Sequence, residues 1–184
     1  MSNNKHLRIP KRLVQRPQWR NLPIPYIALI RPDGQPDFRV TDEAKRISVI
    51  RHRLCQLCGD QLGRWFFFVG GVNSFKSNAY FEPACHLDCL IYAMQVCPFI
   101  VGKMDHHPTD KIKADNPHEL IVEHAGFSDK REPLFVIVKA NGWTLVQHEG
   151  AILLQPHKVK ATEPLQPDSM TWAQWKQVMN ELSK

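Results

Sequence analysis

The 184-residue sequence lacks any apolar run that approaches the roughly 18 residues needed to span a membrane. Its first 30 residues also lack the apolar core of a signal peptide, because prolines and charges interrupt every apolar stretch there. The most apolar of these stretches, Leu22–Ile30, itself contains Pro23 and Pro25. We therefore expect a protein that does not associate with membranes and that resides in the cytoplasm.

The chain has few cysteines for a disulfide-rich protein, and its acidic residues are unevenly distributed. Five cysteines are an odd number, which disfavours a disulfide framework in a chain without an export signal. The net charge is +6, and residues 1–20 contain six of the 24 basic residues and none of the 18 acidic ones. The remaining residues are formally neutral, so the excess charge belongs to the N-terminal segment. A hydrophobic fraction of 43% excludes wholesale disorder.

Turn and charge signals divide the chain into four regions. Residues 1–21 are polar, basic and punctuated by proline, which predicts a basic flexible arm. Residues 22–101 hold all five cysteines and form the predicted metal-binding region. Residues 102–117 are predicted to be a linker or loop, and residues 118–184 an antiparallel β-meander followed by a C-terminal helix. The predicted class is α+β.

A helix is predicted over residues 41–54. Thr41 is a suitable N-cap, and Ile47, Ile50 and Leu54 recur at helical spacing to form an apolar face. Basic residues occupy other positions of this helix, where solvent exposure is the ordinary interpretation. They are Lys45, Arg46, Arg51 and Arg53.

A β-hairpin and an antiparallel β-meander are also predicted. Trp65–Val69 is an aromatic-rich strand, and Ala79–Phe81 is the predicted returning strand. In the C-terminal half the dipeptide Asn141-Gly142 predicts a tight hairpin turn, and residues 148–150 predict the next turn. The meander strands are Leu120–Val122, Leu134–Val138, Trp143–Val146 and Ala151–Leu154. The final helix begins at Ser169 or Thr171 and carries one apolar stripe typical of core packing.

The most informative motif is Cys55-x-x-Cys58-Gly59, followed after 25 residues by a cysteine-rich segment that runs from Cys85 to Cys89. A Cys-x-x-Cys turn directs two thiolates at one ion, and a glycine after the second cysteine completes such a zinc knuckle. His86 and Cys89 stand three residues apart at the start of a predicted helix, so they share one face. A knuckle, a hairpin and a helix that supplies the last ligands follow the order of a treble-clef zinc finger.

The preferred ligand set is Cys55, Cys58, His86 and Cys89, which would hold a structural Zn²⁺ in a closed tetrahedral site. An all-cysteine set in which Cys85 replaces His86 stays open as an alternative. The loop pair His106-His107 is a weaker candidate for a second metal, because loop histidines are usually solvated.

With these motifs assembled, the chain resembles an uncharacterised family of bacterial and phage proteins. The resemblance covers residues 22–100 well and the C-terminal half loosely. It is carried by Leu22–Tyr26, Pro36–Val40, Leu54–Gly63, Glu82–Cys89 and Val96–Ile100, the last of which contains the Cys-Pro-Phe motif. In that family the position of Cys85 is usually not cysteine, which favours His86 and Cys89 as ligands. The resemblance implies a zinc-binding fold and a prokaryotic or phage source, with location in the host cytoplasm for a phage protein, and it implies no activity.

Three functional hypotheses follow. The first is a zinc-stabilised accessory protein that binds nucleic acid, with basic side chains of the arm and the 41–54 helix neutralising phosphates. The arm residues concerned are Lys5, Arg8, Lys11, Arg12, Arg16 and Arg20. The second is a phage or mobile-element factor that binds and modulates a host protein. The third is an HNH-like metal-dependent nuclease, which is poorly supported because both predicted hairpin strands lack the general-base histidine.

Overall fold

The computed structural model describes residues 8–97, 135–148 and 150–161, which form a mixed α+β fold as predicted. Within these ranges the helices are α1 (Lys11–Val14), α2 (Glu43–His52), α3 (Val72–Ser77) and α4 (Leu87–Val96). The strands are β1 (Gln18–Trp19), β2 (Leu22–Pro23), β3 (Ala28–Ile30), β4 (Pro36–Thr41), β5 (Phe66–Gly71), β6 (Phe135–His148) and β7 (Ala151–Ala161). None of the helices in these ranges is long and apolar enough to cross a membrane.

Three small antiparallel sheets organise the strands. β1 pairs with β2, β3 pairs with β4, and the largest sheet has the order β5-β6-β7. β5 lies in the predicted metal-binding region and β6 and β7 lie in the predicted meander, so the two regions contribute to one sheet. Side chains from all three strands enter the same apolar core, which includes Phe68, Val138 and Leu154.

The predicted hairpin between Trp65–Val69 and Ala79–Phe81 is wrong. β5 pairs along its length with β6, from Phe66 opposite Ala140 to Gly71 opposite Phe135. The chain turns into α3 directly after β5, and Tyr80 then forms an isolated bridge with Leu154 of β7. The other edge of β5 is covered at one point, by an antiparallel bridge between Phe67 and Cys85.

The predicted turn at Asn141-Gly142 is also wrong. β6 continues through this dipeptide as a 14-residue strand. The register with β7 shifts between Ala140 and Trp143, so the dipeptide produces an irregularity in the strand instead of reversing the chain. The next predicted turn is at the correct place, because β6 ends at His148 and β7 begins at Ala151, after Gly150 with φ +84°. Leu120–Val122, the 102–117 linker and the final helix lie outside the described residues.

The apolar face predicted for α2 differs from the observed one. Asp42, not Thr41, is the N-cap, and its carboxylate accepts a hydrogen bond from the Lys45 backbone N–H. Arg46 and Val49 are buried, whereas Ile47 is 39% exposed. The guanidinium of Arg46 has hydrogen-bond partners on the core side, which is why a charged residue occupies the buried face.

The segment predicted to be a basic arm is folded where the structure describes it. Residues 11–14 form α1 and residues 18–19 form β1. Leu13 is only 3% exposed and belongs to the same core as Cys55, Cys58 and Cys89. One buried apolar side chain therefore attaches this basic segment to the rest of the protein.

Candidate metal centre

The first half of the site is a compact turn over residues 54–61. The Gly59 N–H donates to the Cys55 carbonyl at 2.8 Å, and the Cys55 N–H donates to the Asp60 carbonyl at 2.8 Å. Gly59 has φ +84°, a conformation that L side chains rarely adopt. The turn brings the Cys55 and Cys58 side chains to the same side, as the knuckle motif predicts.

The second half is attached to both β5 and the knuckle. Phe67 and Cys85 exchange two backbone hydrogen bonds, of 3.2 and 2.8 Å. The Gln56 N–H donates to the Ala84 carbonyl at 3.2 Å, so the knuckle binds this segment directly. α4 then begins at Leu87 with His86 as its N-cap, which puts His86 just before the helix and Cys89 in its first turn.

These two halves bring the four predicted ligands together. One ligand atom from each of Cys55, Cys58, His86 and Cys89 lies within 4.8 Å of the other three. The three cysteines are buried and His86 is half-buried. Cys85, the alternative ligand, is buried but is not a member of this cluster. Its sulfur instead accepts a hydrogen bond from the Gln56 side-chain amide at 3.3 Å.

A second set of contacts orients these ligands. His86 Nδ1 lies 3.4 Å from Cys58 Sγ, and Nε2 lies 3.1 Å from the Gln61 carbonyl. Because a carbonyl only accepts, Nε2 carries the proton and Nδ1 faces the cluster. Backbone N–H groups of Asp60 and His86 donate to Cys58 Sγ and Cys55 Sγ, both at 3.4 Å, and such donors stabilise thiolates.

The electrostatics of the cluster favour a thiolate at Cys55. Side-chain hydrogen bonds from Cys58, Cys85 and Cys89 hold the pKa of Cys55 well below its ordinary value. Hydrogen bonds with Cys55 and Cys58 raise the pKa of His86 to about 10. The same network raises the pKa of Cys89, chiefly through its hydrogen bond to Cys55. The protein atoms thus share protons around a Cys55 thiolate, and a cation would have to displace those protons.

Chemically, this donor set suits a structural ion better than a catalytic one. Three sulfurs and one imidazole nitrogen are typical Zn²⁺ ligands, and four protein ligands complete a tetrahedron without a position for water. A nuclease centre needs an open coordination position and a general base nearby. His86, the histidine of this cluster, has both ring nitrogens engaged.

The basic residues predicted to bind nucleic acid separate into different environments. Around α1 the structure describes a concave surface, which we term the α1 basic surface and define as Arg8, Lys11, Arg12 and Arg16. It comprises two adjoining depressions of about 390 and 460 Å³ that share Lys11, and Cys58 lines the first of them. Arg20 lies elsewhere, near the ring of Trp19, and Lys5 is outside the described residues.

The α2 residues do not form a comparable surface. Arg46 is 1% exposed and donates to the carbonyls of Phe81 and Ile152. Lys45 donates to the Ala28 carbonyl, and the Arg53 guanidinium lies near the rings of Phe66 and Trp143. Arg51 is exposed. Arg46 in particular is inaccessible to a partner, because its guanidinium is buried and hydrogen-bonded to these carbonyls.

Two features of the site had little or no signal in the sequence. The side chain of Gln56 is buried and donates to the Pro83 carbonyl at 2.6 Å, which joins the two halves of the site. A residue inside a Cys-x-x-Cys turn gives no indication of such a role. The sequence predicts Trp65 only as part of a strand, and its contact with the neighbouring Arg64 guanidinium is seen only in the structure. His106 and His107 lie outside the described residues.

Comparisons with known proteins give no relative from which a function could be transferred: no family model, no curated protein and no solved structure matches this chain. The function must therefore be argued from the site itself.

Proposed function

We propose that Cys55, Cys58, His86 and Cys89 bind one structural Zn²⁺ that stabilises a macromolecule-binding protein. The observation that carries the zinc assignment is the mutual distance of at most 4.8 Å between four ligand atoms. Ligands about 2.0–2.3 Å from a tetrahedral centre lie roughly 3.5–3.8 Å apart, so a small contraction completes the site. The order of knuckle, Phe67–Cys85 bridge and helix α4 supports a treble-clef type of zinc finger.

Two single substitutions test the ligand set. Cys89→Ala is expected to abolish stoichiometric zinc, because it opens the tetrahedron and binding supplies folding free energy. Cys85→Ala is the matched control, since it removes a neighbouring buried thiol that is not in the cluster. The measurement is zinc content per chain by elemental analysis after purification. One zinc per chain in Cys89→Ala, or its loss only in Cys85→Ala, would contradict the assignment.

The proposed partner is nucleic acid, contacted through the α1 basic surface. Arg8, Lys11 and Arg12 are exposed on this concave surface, which gives several cations a common direction. Arg12 lies 3.9 Å from carboxylate oxygens of both Asp60 and Asp88, and all three side chains are about half exposed. Ion pairs of that length and exposure are weak, so they leave Arg12 able to bind a phosphate.

The binding test uses point substitutions, because deleting residues 1–21 would also remove the buried Leu13. Electrophoretic mobility shift at several salt concentrations measures binding and its salt slope. Lys11→Ala is expected to weaken binding and to lower the salt slope by about 1, as the loss of one phosphate contact requires. Lys76→Ala, which removes an exposed lysine from α3, is the control and should change neither.

Absence of any shift by the wild-type protein at low salt would remove the nucleic-acid proposal and leave the zinc proposal intact. Equal effects of Lys11→Ala and Lys76→Ala would show that net charge, and not the α1 basic surface, governs binding.

A further inference from the structure

A second group of basic and aromatic side chains lies at the start of β5, apart from the residues that define the α1 basic surface. The Arg64 guanidinium carbon is 4.8 Å from the centroid of the Trp65 ring. Lys139 Nζ is 4.2 Å from the same centroid. Lys139 reaches the ring because β6 places it opposite Phe67, two residues from Trp65 along β5. We term these three residues the Trp65 cluster.

The charges of Arg64 and Lys139 are not neutralised by any other residue that the structure describes. Within the part of the chain that the structure describes, Arg64 and Lys139 take part in no ion pair and donate no side-chain hydrogen bond. Arg64 is exposed, and Lys139 and Trp65 are half-buried. Two cations on an accessible aromatic ring, with no carboxylate among the described residues to neutralise them, attract an anion that also has a flat apolar part.

Trp65 is also held in place by its neighbours. Phe66 and Phe67 follow it directly and belong to the core. Phe67 exchanges backbone hydrogen bonds with Cys85, the residue that precedes the metal ligand His86. A rigid strand anchored in the core and adjacent to the metal centre thus presents the Trp65 ring, which limits the ordering cost of a ligand that stacks on it.

We propose that the Trp65 cluster binds single-stranded nucleic acid, with a base stacked on Trp65 and a phosphate bound by Arg64 or Lys139. This inference rests on the proposed nucleic-acid function and specifies its substrate class. A base stacks on a side chain only when its face is free, so the ring selects an unpaired strand over a duplex. Arg64, which contacts the ring and forms no ion pair with a described residue, moves aside to the phosphate and frees one face of the indole.

The experiment compares a fluorescein-labelled 12-nucleotide oligothymidylate with a duplex of equal length, using fluorescence anisotropy of the zinc-loaded full chain. Trp65→Ala is expected to weaken single-strand binding about tenfold, the effect of one lost base stack, and to leave duplex binding within twofold. Trp65→Phe should retain most of the single-strand affinity, because it keeps an aromatic face. Trp19→Ala is the matched control, since it removes another half-buried tryptophan that has an arginine near its ring.

The outcomes separate this inference from the proposed function. If the wild-type protein binds neither oligonucleotide, both the Trp65 cluster and the proposed nucleic-acid function are overturned. Single-strand binding that is unchanged in Trp65→Ala, or that falls equally for the duplex, would overturn the Trp65 cluster alone. If single-strand and duplex binding are both lost in Lys11→Ala and neither is lost in Trp65→Ala, the result would support the α1 basic surface and overturn the Trp65 cluster.

Photocrosslinking keeps the inference testable on the wild-type protein if Trp65→Ala does not fold. An oligonucleotide with 5-iodouracil in place of thymine is irradiated in the complex, and the crosslinked peptide is identified by mass spectrometry. Crosslinks at Trp65 support the proposal. Crosslinks confined to peptides that contain none of the Trp65 cluster overturn it.

Discussion

His86 illustrates what single residues contribute to the metal centre. Its position three residues before Cys89 predicts it as a ligand, with Cys85 as the alternative. The proton on Nε2 depends on the Gln61 carbonyl, which the turn over residues 54–61 brings within 3.1 Å. A backbone carbonyl is present at every residue, so nothing in the sequence distinguishes the one that orients this imidazole.

Gly59 is the residue on which the knuckle geometry depends most directly, and Gly59→Ala tests this. Its φ is +84°, and an added Cβ would lie 2.5 Å from Cδ2 of Tyr26, which is too close. Gly34→Ala is the matched control, because Gly34 has φ +81° but no atom within 4 Å of an added Cβ. We expect Gly34→Ala to lower the free energy of unfolding by about 1 kcal/mol through strain alone.

Gly59→Ala should lower the free energy of unfolding by about 3 kcal/mol and accelerate zinc loss to a chelator, because the clash adds to the strain. Urea unfolding and a colorimetric chelator assay measure the two effects. If the two variants lose the same stability and retain zinc equally, the contact between Gly59 and Tyr26 is unimportant.

Among the helices, α2 shows where periodicity alone misleads. Its apolar residues predicted a buried face containing Ile47, yet Ile47 is exposed and Arg46 is buried. Four features accommodate Arg46: the Glu43 carboxylate, 3.0 Å from Arg46 Nη1, the Phe81 carbonyl, the Ile152 carbonyl and the Phe81 ring, whose centroid is 3.9 Å from the guanidinium carbon. Glu43 lies three residues before Arg46, so the sequence of α2 itself indicates this ion pair. The two carbonyls lie after α3 and in β7, and the sequence of α2 gives no signal for them.

Arg46→Ala is expected to destabilise the protein strongly, since it leaves two carbonyls without their donor and removes a buried side chain. We expect the free energy of unfolding to fall by about 3 kcal/mol. Arg51→Ala removes the same charge from an exposed position on α2 and should change it by less than about 0.5 kcal/mol. Urea denaturation followed by circular dichroism measures both. Similar values for the two variants would show that the Arg46 contacts contribute little.

The strand pairing of β5 has consequences for the folded chain as a unit. Its edges contact β6 on one side and Cys85 on the other, so the metal centre and the β5-β6-β7 sheet share a strand. Leu13 of α1 packs into the same core. An ion bound at the four candidate ligands would therefore stabilise segments far apart in sequence.

Removal of zinc is accordingly expected to disrupt tertiary packing well beyond the knuckle. Excess EDTA at neutral pH should abolish the near-ultraviolet circular dichroism of the buried aromatic residues, and Zn²⁺ but not Mg²⁺ should restore it. Lowering the pH from 8 to 5 should weaken zinc binding, because protons compete with the ion for Cys89 and His86, whose pKa values the cluster raises, that of His86 to about 10. Retention of the full signal in EDTA would show that the fold does not depend on the ion.

Local spacing predicts the knuckle and the candidate ligands, because a Cys-x-x-Cys-Gly turn and a His-x-x-Cys pair are each recognised within a few positions. It left the choice between His86 and Cys85 open, and the structure places His86 in the cluster with Cys55, Cys58 and Cys89. The partner of β5, the burial of Arg46 and the anchoring of the N-terminal segment could not be obtained in this way. They depend on contacts between distant residues, such as the hydrogen bond from Arg46 to Ile152 across 106 positions. The Asn141-Gly142 turn is wrong for the same reason, because β7 pairs with β6 both before and after a dipeptide whose own preference is to reverse the chain, whereas the pairing with β5 ends at Ala140.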